Sequence, residues 1–160
     1  MEFALTPLAH VRSPRAAHLD DYWRGVVSTL VLAEGVPDDA LAGLETFSHI
    51  EVVYLFDQVD PASVVWGSRH PRNRTDGPRV GILAQRGRKR PNRLGLSRCR
   101  VLQVDGRTVT VSDLDAIDGT PVLDIKPLMA ETLPTDPVRQ PDWARVLMDR
   151  YYRDTAEDPR

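Results

Sequence analysis

The sequence has a single cysteine, Cys99, and only two lysines, Lys89 and Lys126. One thiol excludes an internal disulfide and supplies no metal framework. In its alternating surroundings Cys99 reads as a small buried apolar residue. The basic charge is therefore almost all arginine. No apolar run reaches the length of a membrane span, and no basic stretch followed by an apolar core opens the chain, so a cytoplasmic protein without membrane contact is expected. No low-complexity tract or internal repeat appears. A glycine-rich strand–turn–helix fingerprint is also missing, which removes the dinucleotide-binding doubly wound fold. None of the histidine spacings is that of a metal site, and no metal is expected. The formal net charge is only -2, so an anionic partner must be met by a local patch.

What is present is one domain's worth of chain, 160 residues of which 41% are hydrophobic, enough to bury a core. It is organised around residues 79–97, RVGILAQRGRKRPNRLGLS. Residues 80–84 are apolar enough for a buried strand, and residues 94–97 open another apolar segment. Between them Gly87, Pro91, Asn92 and Gly95 require a tightly folded connection. It holds Arg86, Arg88, Lys89, Arg90 and Arg93, a cluster suited to an anionic partner and equally consistent with a solvated loop.

Residues 3–11 read as a first strand, ended by Arg12-Ser13-Pro14-Arg15. Residues 25–32, rich in β-branched side chains, read as a second. Pro37-Asp38-Asp39 has the form of a helix start, with Ala40, Leu41, Leu44 and Phe47 on the apolar face of two to three turns. The nearly continuous run from Ile50 to Phe56 fits a strand covered on both faces. Residues 60–76 form a polar loop. Its Trp66, beside arginines, either stacks on a base or pins the loop to the core. Residues 97–114 make a hairpin with Asp105-Gly106 as its turn. A last helix starts at Pro141-Asp142-Trp143, with Trp143, Val146, Leu147 and Tyr151 on one face.

Four strings recur in an order that resembles the TrmO/TsaA-like (YaeB, VirR-type) family of S-adenosylmethionine-dependent tRNA methyltransferases. They are Arg12-Ser13-Pro14; Phe47-Ser48-His49 leading into an apolar strand; Arg90-Pro91-Asn92 with Gly95 and Ser97; and Asp118-Gly119-Thr120-Pro121-Val122 with Asp124 and Lys126-Pro127. The last is the most specific. The resemblance covers most of residues 3–128 and is to the short form, without the C-terminal domain of larger bacterial members. It implies a mainly β fold, a compact antiparallel β-barrel with one or two peripheral helices. Residues 1–130 would be the barrel and residues 131–160 a linker and helix.

The resemblance also implies S-adenosyl-L-methionine as cofactor, tRNA as partner and a homodimer. Cofactor contacts carry over to Phe56, Asp57, Arg86, Leu96, Asp113, Leu114 and Asp115, with Asp115 a carboxylate for ribose hydroxyls or the ammonium. Arg88, Lys89, Arg90, Asn92 and Arg93 are the candidate RNA contacts. The implied acceptor is the exocyclic nitrogen of a threonylcarbamoyl-adenosine beside the anticodon. That nitrogen is a poor nucleophile, and a base to take its proton would help. Asp118, Asp124 and His49 are unranked candidates, although His49, at the start of a strand, reads first as a structural hydrogen-bonder. The chain departs from the family at Asp57, Gln85, Arg93 and Leu128. Those departures keep open a small-molecule acceptor, or a protein that binds the cofactor without catalysis.

Overall fold

The structure is a computed structural model, described here for residues 3–154. Six antiparallel strands close into a barrel: β1 (Ala9–Arg12), β2 (Val27–Leu32), β3 (His49–Leu55), β6 (Leu94–Asp105), β7 (Thr108–Ser112) and β8 (Pro121–Pro127), in the order β1-β2-β7-β6-β3-β8. Closure comes from β8, which pairs with β3 on one side and, through Ala9↔Val122 and His10↔Pro121, with β1 on the other. A closed barrel leaves no unpaired edge strand. Outside it lie the short pair β4 (Ser68–Arg69) and β5 (Val80–Gly81), and one helix, α1 (Asp142–Met148).

The inward set follows the two-residue strand period. Along β6 it is Gly95, Ser97 and Cys99, and along β3 it is Ile50, Val52 and Tyr54. With Val11, Leu30, Val109, Val111 and Val122 these fill the interior. Each fully buried aliphatic side chain contributes about 1.5–3 kcal/mol. Gly95 is inward because Tyr54 leaves room for nothing larger: a Cβ there would overlap the ring edge at Cε2 and Cζ. A bulge falls between Val53 and Tyr54 where β3 runs along β8, re-aiming the strand just where its largest side chain turns inward.

Several local expectations are corrected. The first strand is confined to Ala9–Arg12, with Phe3 and Leu5 exposed ahead of Pro7, which has no N–H for a ladder. The helix expected after Pro37 is two 3₁₀ turns, Asp38–Leu41 and Leu44–Thr46, split at Gly43, whose φ of 88° is left-handed. β3 alternates between buried and half-buried positions instead of being covered on both faces. Residues 80–84 give the two-residue β5 and a 3₁₀ turn, Ile82–Ala84, in which only Ile82 is buried. The β6–β7 hairpin forms, but Asp105 pairs with Thr108, so its two-residue loop is Gly106-Arg107. In α1, Trp143 and Leu147 are half-buried while Val146 faces outward.

Two of the four sequence strings meet as one clamp. The Ser13 N–H donates to Asp118 Oδ1 at 3.0 Å, and the Asp118 N–H returns a bond to the Arg15 carbonyl at 2.7 Å. Gly119, at φ 81°, then donates its N–H to the Val11 carbonyl at 2.8 Å. The turn after β1 and the turn before β8 thereby fix each other.

Candidate functional site

A cleft of about 550 Å³ opens beside β6, lined by Arg86, Leu96, Asp113 and Asp115, by His49, and by Tyr151 and Tyr152 of the C-terminal segment. This is within the size of small-molecule sites. Its walls come from distant parts of the chain. The Arg86 guanidinium donates to the Leu96 carbonyl, tying the basic loop to β6. Asp113 adopts a left-handed φ of 69°, and its Oδ1 accepts the Gly25 N–H at 2.7 Å. That bond draws the β7 end toward the 22–25 turn. The same turn holds the C-terminal segment: the Tyr22 N–H donates to the Arg150 carbonyl at 3.0 Å and the Trp23 N–H to the Tyr151 carbonyl at 2.9 Å.

Asp115 is the electrostatic centre. Its Oδ1 accepts from the Tyr54 hydroxyl at 2.8 Å and from Ser97, and its Oδ2 accepts from Tyr151. Burial pushes the Asp115 carboxyl above the ordinary carboxylate range, while the Tyr54 hydrogen bond and the Arg86 charge pull it part of the way back. Burial, reinforced by the Asp115 charge, pushes the Tyr54 phenol well up, so it stays a neutral donor. Three hydroxyls on one carboxylate in a cleft with an arginine make a polarised pocket able to hold a ligand ammonium or hydroxyls.

The basic loop divides by role. Arg90 donates to the Gln85 carbonyl at 2.8 Å and Arg93 to the Val59 carbonyl at 3.0 Å. Both therefore shape the loop, as do the left-handed φ values of Asn92 (62°) and Arg93 (52°). Arg88 and Lys89 make no side-chain hydrogen bond or ion pair among the described residues, and Arg88 is exposed. Arg15 and Arg72 are engaged away from this loop. Arg72 pairs with Asp21 at 2.8 Å; Arg15 donates to the Asp21 carbonyl at 2.9 Å and lies 4.5 Å from the Trp23 ring centroid.

Residues 9–132 match the family described as the tRNA-methyltransferase O N-terminal domain. The chain belongs to this family. It is 34% identical over 119 residues to a human tRNA (adenine(37)-N6)-methyltransferase, covering 74% of this chain and 26% of that protein. It is 39% identical over 101 residues to a probable S-adenosyl-L-methionine-binding protein VirR of Rhizobium radiobacter, covering 63% and 55%. A crystal structure of TrmO from Pseudomonas aeruginosa superposes with a TM-score of 0.67 at 27% identity, over 86% of this chain and 62% of that one. The chain thus spans about a quarter to three-fifths of the length of these relatives.

Within this TrmO-family chain, Arg86, Leu96, Asp113, Asp115 and His49 are brought together at the cleft. The other residues carried over do not line it. Leu114 is wholly buried in the core, and Phe56 packs edge-on against Tyr54 with centroids 5.4 Å apart. Asp57 is exposed, on the side facing His18. Of the base candidates, Asp118 is held in the clamp described above, and Asp124 pairs with Lys126 at 2.8 Å. His49, whose Nδ1 lies 2.9 Å from the Ser48 hydroxyl, is the candidate at the cleft wall. The sequence reading missed Tyr54, Arg24 and Tyr151 as parts of the site. Tyr54 stands in an apolar run, Arg24 carries no periodic signal, and Tyr151 reads as part of a helix face.

Proposed function

We propose that this chain binds S-adenosyl-L-methionine in the cleft and transfers its methyl group to the exocyclic nitrogen of a threonylcarbamoyl-modified adenosine beside the anticodon of tRNA. One observation carries the reading. Arg86, Leu96, Asp113 and Asp115, taken from different parts of the chain, line one cavity whose edge is the basic loop. The cofactor has a carboxylate, an ammonium, ribose hydroxyls and an apolar base, and the lining supplies a partner for each. Arg86 offers a forked cation to the carboxylate. Asp113 and Asp115 face the ammonium and hydroxyls, and Leu96, Met148 and the two tyrosines give apolar surface.

When bound, the cofactor supplies a sulfonium-activated methyl group, whose transfer forms a carbon–nitrogen bond, breaks the carbon–sulfur bond and releases the acceptor's N–H proton. The protein's part is alignment, where orientation is worth several powers of ten. Asp115, fixed by three hydroxyls, holds one end of the site rigid. His49, which lines the cleft, is the base candidate this reading takes for the released proton. Arg88 and Lys89 meet the RNA backbone beside it. Because Arg15 and Arg72 are engaged within the protein, they add nothing to the basic face, and this favours a small-molecule acceptor as the second reading.

The test is transfer of label from S-adenosyl-L-methionine to tRNA carrying threonylcarbamoyl-adenosine, against the same tRNA lacking that group. Labelled modified tRNA and a poor signal from the unmodified one are expected. Cofactor binding by calorimetry without transfer to any tRNA pool would move the assignment to the second reading. Arg86→Ala should weaken cofactor binding by roughly 1.5–3 kcal/mol, the worth of a hydrogen bond to a charged group.

A further inference from the structure

The loop that separates β3 from the basic segment carries an exposed aromatic surface. Trp66 stands two residues before Ser68, where β4 begins, and Leu83 two residues after Gly81, where β5 ends. Ser68 pairs with Gly81, and the Ile82 N–H donates to the Gly67 carbonyl at 2.9 Å. Trp66 precedes Gly67 and Leu83 follows Ile82, so both leave the pair at this hydrogen-bonded end. Ile82, at 2% exposure, is turned into the protein and anchors the turn, while Trp66 and Leu83 are each 78% exposed. The indole does not pin the loop to the core. It stands outward on a hydrogen-bonded support.

The position of that indole is set by a second contact. The Val65 N–H donates to the Lys89 carbonyl at 2.9 Å, which puts Trp66 beside the tip of the basic loop. Residues 61–93 contain nine arginines or lysines and one acid, Asp76, itself paired with Arg74 at 2.7 Å. A flat, exposed π surface next to Arg88 and Lys89, which hold no ion pair among the described residues, is the arrangement by which proteins hold unpaired bases of single-stranded RNA: the ring stacks on the base, and the cations take the adjoining phosphates. A second copy of this chain fits less well, since a two-fold contact through this patch would set the same arginines against each other.

We propose that Trp66 is a stacking platform for an unpaired base of an RNA loop, with Arg88 and Lys89 on its neighbouring phosphates. The proposal rests on the RNA part of the reading above and names the element that would seat the loop beside the cleft.

The experiment measures binding of a labelled, threonylcarbamoyl-modified anticodon stem-loop by anisotropy for the full chain, Trp66→Ala, Trp66→Phe and Arg88→Ala/Lys89→Ala. Trp66→Ala should lose about 5- to 150-fold in affinity, the range for one stacked base, with its salt slope and cofactor affinity unchanged. Trp66→Phe should keep most of the affinity, and Arg88→Ala/Lys89→Ala should flatten the salt slope. Equal affinity for Trp66→Ala overturns the platform even if methyl transfer to tRNA proceeds. So does a stem-loop that fails to bind the unaltered chain, or a Trp66→Ala protein whose sedimentation shows a lost self-association. A platform effect without methyl transfer leaves the platform standing and removes the proposed reaction.

Discussion

Tyr54 donates its hydroxyl proton to Asp115 Oδ1 across 2.8 Å, joining residues 61 positions apart in the chain. The bond makes one unit of the barrel interior and the cleft. Tyr54 is wholly buried, Asp115 reaches the cavity, and Ser97 and Tyr151 complete the shell around the carboxylate. Changes to core packing near Tyr54 therefore become changes at the site.

Asp115→Asn tests the electrostatic side of this. Burial holds the folded carboxyl above its unfolded value, so the folded state binds the proton more tightly than the unfolded chain does. Stability from this group is then fully present below the unfolded carboxylate value near 3.9, and is lost as pH rises through the raised folded value. Asparagine carries no such dependence. In urea titrations, Asp115→Asn should gain on the parent protein between acid and neutral pH while binding the cofactor more weakly. A variant that instead falls behind toward neutral pH would mean the three hydroxyls outweigh burial.

Gly95→Ala should cost about 1–3 kcal/mol, the usual penalty of overpacking, because the new methyl would overlap the Tyr54 ring. Cofactor affinity should fall with it, since the ring cannot move without disturbing its bond to Asp115. Denaturation and calorimetry read the two effects. An undisturbed midpoint would show that the ring has somewhere to go.

Much of the barrel was legible because its signal is local. β6 and β7 alternate residue by residue, and β2 is rich in β-branched side chains, so the strand period is visible without knowing the partners. The first strand and the expected helix misled because Pro7 and Gly43 set backbone limits that outweigh an apolar count. Arg86, Leu96, Asp113 and Asp115 were reachable through the family strings. Tyr54 and Tyr151 were not: each acts through a contact with Asp115 that spans 61 and 36 residues, and no periodicity encodes such a meeting. Asp118 stands among the base candidates because it belongs to the most specific string. The clamp shows that such a string also serves a turn.

Tyr151→Phe removes one donor from Asp115 and leaves the tail's backbone bond to Trp23 in place. The protein should stay folded and lose roughly 1.5–3 kcal/mol, as when a charged group loses a hydrogen bond. Its loss of stability between acid and neutral pH should be steeper than the parent's, because the carboxylate form of Asp115 has one stabilising partner fewer. Parallel pH curves for the two proteins would show that Tyr151 does not act through Asp115.

The last prediction separates the two halves of the basic loop. Arg90 and Arg93 donate to protein carbonyls, so Arg90→Ala or Arg93→Ala should lower stability by about 0.5–1.5 kcal/mol and disturb RNA binding only through the loop's shape. Arg88 and Lys89 hold no such bonds, so Arg88→Ala/Lys89→Ala should leave the unfolding midpoint unchanged. If each meets one phosphate of a single-stranded loop, the double variant should flatten the slope of log affinity against log salt by roughly 1.4, at about 0.7 per contact. Cofactor affinity should not move, because the loop reaches the cleft through Arg86 rather than through these two. A fall in cofactor binding with an unchanged salt slope would instead make residues 88–93 a cover over the cleft, and their excess of charge would need another partner.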